Sequence, residues 1–206
     1  MLSRHAFTML ELVFVVAIIG ILSVEVIGRF DRDTLFEMSE QVLNHIRYTQ
    51  HMAMHDDSYD HSAQRWYQAY WQMNFVNTAK CGLFYRIGSD RDLDSLTGDF
   101  EAAEAARDAM SGDAIYNNAL VCEERIGWHP GVLLGEQYDI VSMQSSCGSQ
   151  LIAFDHQGRP HTGVAGGRAT ALLLKVPCDY TFIDGSGRQV RITILPETGY
   201  AFITYL

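Results

Sequence analysis

Between Asp90 and Glu101 the chain reads Asp-Arg-Asp-Leu-Asp-Ser-Leu-Thr-Gly-Asp-Phe-Glu. Asp90, Asp92, Asp94 and Glu101 occupy positions one, three, five and twelve of an EF-hand-like loop. Short carboxylates at alternate positions converge on a hard cation, and a longer Glu closes the shell with two oxygens. The backbone carbonyl of Leu96 would supply a further ligand, and Ca2+ is the expected ion. Two features depart from the pattern: Ser95 stands where Gly is usual, and a predicted strand precedes the loop. A helical run, Glu101 to Met110, is predicted to follow. The plainer reading is a solvated acidic loop with Asp99 capping that helix.

Other residues could also do chemistry. Glu11 lies inside the apolar run Phe7 to Ile27. An ionised acid among apolar side chains implies a partner that neutralises it, and inside a lipid core it would cost about 3 kcal/mol. His51 and His55, spaced i,i+4 with Asp56, Asp57 and His61 beyond, could hold a transition metal. Met52-Ala53-Met54 between them leaves no metalloprotease glutamate, and a polar helix end is the plainer reading. Trp66, Tyr67, Tyr70, Trp71 and Phe75 could stack against a sugar, although aromatic strands more often fill cores. Ser145, Ser146 and Ser149 lack a nucleophile elbow. The sequence offers no catalytic constellation, and the expectation is a protein that is not an enzyme.

The N-terminus carries a family resemblance. Ala6-Phe7-Thr8-Met9-Leu10-Glu11-Leu12, followed by Val15-Val16-Ala17-Ile18-Ile19-Gly20-Ile21-Leu22, resembles the type IV pilin and type II secretion pseudopilin superfamily. The resemblance implies cleavage between Ala6 and Phe7 by a prepilin peptidase, then methylation of Phe7. It implies that Glu11 is the assembly acid, pairing with the N-terminal amine of a neighbouring subunit. Ala6 replaces the usual Gly, and Gly28 stands where many major pilins have Pro. More weakly, the C-terminal pair of strands and Phe154-Asp155-His156-Gln157-Gly158-Arg159-Pro160 resemble the minor pseudopilins with a β-sandwich head.

These residues must be positioned by a small set of elements. Roughly twenty apolar residues span a bilayer core of about 30 Å, so Phe7 to Ile27 suffices for one crossing. Arg4 favours a cytoplasmic N-terminus by the positive-inside bias. Leu35, Met38, Val42, Ile46, Met52 and Ala53 continue a helical stripe that Asp56-Asp57-Ser58 ends, which predicts one helix of about 50 residues. Strands are predicted over Arg65–Val76, Leu83–Ile87, Tyr138–Met143, Gln150–Phe154, Ala171–Val176, Tyr180–Ile183, Gln189–Leu195 and Tyr200–Tyr205. Asp184-Gly185-Ser186-Gly187 signals a hairpin. The expected fold is α+β: a long N-terminal helix, membrane-spanning in its first half, packed on an antiparallel β-sheet or β-sandwich head. The expected organisation is a leader (1–6), a transmembrane half-helix (7–29), a soluble half-helix (30–56) and a globular head (57–206).

The chain has a formal net charge of −10 and 48% hydrophobic residues, which excludes a disordered segment and a basic nucleic-acid binder. Cys81, Cys122, Cys147 and Cys178 suggest two disulfides in an oxidising compartment. Four cysteines allow three pairings, of which the sequential one, Cys81–Cys122 and Cys147–Cys178, is preferred because it joins neighbouring segments. The expected localisation is the inner membrane, single-pass, with a periplasmic head. The expected function is a minor pilin or pseudopilin. Its partners would be other pilins in a helical filament, a prepilin peptidase and an inner-membrane assembly platform. A DNA-uptake minor pilin and a membrane-tethered periplasmic enzyme are the alternatives.

Overall fold

The computed structural model describes residues 9–27, 33–56, 65–95, 98–118, 122, 127–165 and 168–206, with side chains of the first stretch described to residue 20. The chain forms two compact units, Met1–Asp33 and Thr34–Leu206. The first contains helix α1 (Met9–Ile27). Its described side chains are apolar on every side except at Glu11.

The second unit is mostly sheet. It opens with helix α2 (Thr34–His55), whose apolar residues recur at helical spacing. Leu35, Met38, Val42 and Ile46 bury as that spacing dictates. The helix stops after His55, where the Asp56 N–H still reaches the Met52 carbonyl at 3.0 Å. Strands β1 (Trp71–Thr78), β2 (Gly82–Gly88), β4 (Leu151–Phe154) and β5 (Pro160–His161) form an antiparallel sheet in the order β2-β1-β4-β5. Strands β3 (Ile140–Ser145), β6 (Cys178–Asp184), β7 (Gln189–Ile194) and β8 (Ala201–Tyr205) form a second, in the order β3-β6-β7-β8. A short helix, α3 (Leu134–Tyr138), leads into β3. Both sheets and α2 share one core. At its centre the Phe75 ring lies 5.2 Å from Tyr180 and 5.6 Å from Phe182. Fully burying such an aromatic contributes about 1.5–3 kcal/mol.

Two hairpins close with the same five-residue turn. In Asp155-His-Gln-Gly158-Arg159, the Asp155 carboxylate accepts the N–H groups of Gln157 and Arg159 and the Arg159 Nε–H. In Asp184-Gly-Ser-Gly187-Arg188, the Asp184 carboxylate accepts the N–H groups of Ser186 and Arg188 and the Arg188 Nε–H. Gly158 and Gly187 take the positive φ, 76° and 85°, that each turn needs. The disulfides are Cys81–Cys122 and Cys147–Cys178, the sequential pairing.

The structure corrects several expectations. The single helix of about 50 residues is two helices in two units. Among the described residues, no helix is long and apolar enough to cross a membrane. The membrane-spanning half-helix, the single-pass inner-membrane placement and the fold class built on them are therefore set aside. In their place stands a small, mostly-sheet domain with two antiparallel sheets and few helices. The disulfides still favour an oxidising compartment. The start of the predicted strand Arg65–Val76 is instead a 3-10 turn, Trp66–Ala69. Ala171–Val176 contributes only an isolated bridge, Leu173 to His161.

Candidate functional site

The segment that leaves β2 builds the site. Gly88 ends the strand, and the Ser89 hydroxyl, fully buried, donates to the Ala69 carbonyl at 2.6 Å. The following chain returns alongside. Gly88 bridges Ala105, and the Ala106 N–H donates to Ile87 at 2.8 Å. This return places Glu104 beside Asp90 and Asp92. One carboxylate oxygen from each of the three lies within 4.8 Å of the others. The group grades outward: Asp90 is fully buried, Glu104 half-buried and Asp92 exposed.

Glu104 and Asp92 hold the loop as well as facing each other. Glu104 Oε1 accepts the Arg91 N–H at 2.8 Å, and Oε2 accepts the Glu101 N–H at 3.1 Å. Asp92 Oδ1 accepts the Asp94 N–H at 3.2 Å. Asp90 differs, because neither of its buried oxygens has a hydrogen-bond partner. Burial, then the fields of Glu104, Asp94 and Asp92, push the Asp90 carboxyl up to about 6. The Leu93 N–H pulls the other way without meeting hydrogen-bond geometry. Three converging carboxylates, one of them shut from water, can hold a metal ion.

Among the described residues, the sequence-predicted ligands that join this group are Asp90 and Asp92. Asp94 and Glu101 line a neighbouring cavity of about 430 Å³ with Arg86, Asp99, Phe100 and Tyr116. There the Arg86 guanidinium pairs with Asp99 and lies 5.1 Å from the centre of the Phe100 ring. Leu96 lies outside the described residues, as do Ala6 and Phe7. Glu104 is the candidate ligand that sequence spacing missed, and the predicted helix Glu101–Met110 is absent. A turn at 102–104, where the Glu104 N–H reaches the Glu101 carbonyl at 3.1 Å, and the bridges Gly88–Ala105 and Arg107–Ala114 take its place.

The other candidates divide. Glu11 is exposed on α1. The His51 and His55 rings stack with centroids 4.0 Å apart, and His55 Nδ1 meets the His51 carbonyl at 2.9 Å. Asp57 and His61 lie outside the described residues. Tyr67, Tyr70, Trp71 and Phe75 are buried, so these aromatics fill the core. A polar cluster that the sequence did not announce lies under α2. His45 Nδ1 meets the Tyr85 hydroxyl at 2.6 Å, and its Nε2 is 4.0 Å from Asp108. A cavity of about 480 Å³ adjoins them, bounded also by His129. Burial, then His129, lower the His45 pKa to about 4 against the pull of Asp108.

Compared with protein families, curated proteins and solved structures, the chain finds no match.

Proposed function

We propose that this chain is a structural, non-catalytic subunit of a helical filament of the type IV pilin kind. The observation that supports the reading most is the surface of α1. Met9, Leu10, Leu12, Val13, Phe14, Val16, Ile18 and Ile19 are each more than half exposed. An apolar helix this bare is stable only when other apolar surface covers it, at about 25 cal/mol per Å² buried. Helices of the same kind from neighbouring subunits supply that surface. Glu11 then gives register, because an acid among packed apolar side chains admits only the arrangement that brings a cation to it. By the resemblance, that cation is the amine of Phe7 on the next subunit, freed by cleavage after Ala6.

The test is Glu11→Ala in the native host. Incorporation beside neighbouring subunits should fall while the level of folded chain holds. Intact-mass measurement should show a chain beginning at methylated Phe7. Undiminished copurification of the variant with its neighbours would overturn the reading.

In the same proposal, calcium is the ion of Asp90, Asp92 and Glu104. The ligands are all hard oxygens, and the exposed side of Asp92 leaves room for the waters of a 6–8-fold shell. Magnesium demands tighter octahedral geometry and should bind more weakly. Calorimetric titration of calcium and magnesium tests the assignment, and a preference for magnesium would refute it.

A further inference from the structure

Arg91 sits between two members of the acidic triad, yet its side chain serves a different element. Its backbone N–H holds Glu104 at 2.8 Å, while its guanidinium Nη2 donates to Asp56 Oδ2 at 2.7 Å. The same Asp56 oxygen accepts the Trp71 indole N–H at 2.6 Å. The guanidinium carbon lies 5.3 Å from the centre of the Trp71 ring. Asp56 is the residue that ends α2, its own N–H still bonded to Met52. One residue therefore joins the acidic triad to the last turn of α2 and to the first residue of β1.

We propose that a divalent cation bound by Asp90, Asp92 and Glu104 is an interlock: it fixes the main chain at Arg91 and, through Arg91 and Asp56, holds the C-terminal turn of α2 on the sheet. The inference rests on the calcium reading of the triad. A cluster of acids alone would not carry it. The further observation is that Asp90 is completely buried, with both carboxylate oxygens lacking a hydrogen-bond partner and one of them within 4.8 Å of a carboxylate oxygen of both Asp92 and Glu104. A buried carboxylate with no donor is costly, and a cation among the three acids supplies what the protein does not. Without it, mutual repulsion of the carboxylates loosens the Asp90–Asp92 segment that carries Arg91. With it, Arg91 is anchored at both ends.

The experiment uses the full chain, kept dispersed by a mild detergent because α1 is apolar. Calcium binding is measured by calorimetry. Amide hydrogen exchange at the end of α2, read at His55 and Asp56, is compared in calcium chloride and in chelator. Calcium should slow exchange there about tenfold. Arg91→Gln, which keeps the backbone N–H, should still bind calcium within about threefold of the wild-type affinity but lose the slowing. Asp92→Asn should lose both. Calcium binding with unchanged exchange at the α2 end would overturn the interlock and leave the cation site standing. No binding heat up to several millimolar calcium would overturn both.

Discussion

Asp90→Asn should make the cation-free protein more stable while abolishing its response to calcium. The wild-type carboxyl is pushed up from an ordinary 3.8 to about 6 by burial and by Glu104, Asp94 and Asp92. A raised carboxyl stabilises the fold only while protonated. That stability is complete below pH 3.8 and is lost as pH rises through about 6, so at pH 7 the ionised group is a net burden. At 1.36 kcal/mol per pH unit the displacement corresponds to about 3 kcal/mol. Asp90 is closed to water but lies under a thin cover, beside exposed Asp92 and Asp94, so solvent screening reduces this to about 1–2 kcal/mol. Asn keeps the shape, drops the charge, and brings an amide N–H₂ that can donate to Glu104 or Asp92. For a chain of this size the gain corresponds to a rise in Tm of about 2–8 °C. Thermal unfolding at pH 7 in chelator measures it, and repetition near pH 4 should show the difference shrinking. A variant that melts below wild type at pH 7 without calcium would refute the electrostatic account of the site.

Acid should weaken the His45 cluster: a ring lowered to about 4 stabilises the fold fully above pH 6.5 and loses that contribution as pH falls through 4, about 3 kcal/mol in all. Urea unfolding at pH 7 and pH 4 should show wild type losing more than His45→Gln, and equal losses would contradict the assignment. Gly88→Ala should cost about 1–3 kcal/mol, because a Cβ there would lie 2.2 Å from the buried Phe100 ring. Thermal unfolding of Gly88→Ala with and without Phe100→Leu checks this, since the smaller side chain should recover part of the loss. Removing the Cys81–Cys122 disulfide, which closes a sequence separation of 41 residues, should cost about 3–4 kcal/mol, measured by unfolding the Cys81→Ser/Cys122→Ser variant beside wild type without reductant.

What the sequence announced was governed by short-range pattern. Along β6 and β7 buried and less buried side chains alternate with the pleat. Spacing marked α2, whose stripe lies on the sheets. What it hid depended on contacts between distant segments. Glu101-Ala-Ala-Glu-Ala-Ala-Arg has strong helix-forming composition, but the bridge of Ala105 to Gly88 at the end of β2, with that of Arg107 to Ala114, overrides it. That same return of the chain makes Glu104, not Glu101, the companion of Asp90 and Asp92, a result that loop spacing cannot supply. His45 was invisible because a polar residue on the inner face of a helix gives no periodic signal. Tyr85, 40 positions away, is what gives it a role. The apolar run at the N-terminus was plain to see, yet its length overstated what the described helix can do as a membrane crossing.

The twin Asp-X-X-Gly-Arg turns have a consequence for the order of folding. Each satisfies its own backbone within five residues, so each can form before anything else in its sheet is in place, on the microsecond scale of hairpin closure. Phe154 opposite Pro160 and Ile183 opposite Gln189 are then set early, one in each sheet. The β1–β4 pairing is different, since Trp71 must find Phe154 across much of the chain. That encounter carries the loop-closure entropy and sets the pace. Weakening either turn, by Asp155→Ala or Asp184→Ala, should therefore slow the arrival of its own sheet and leave the long search of β1 for β4 as it was.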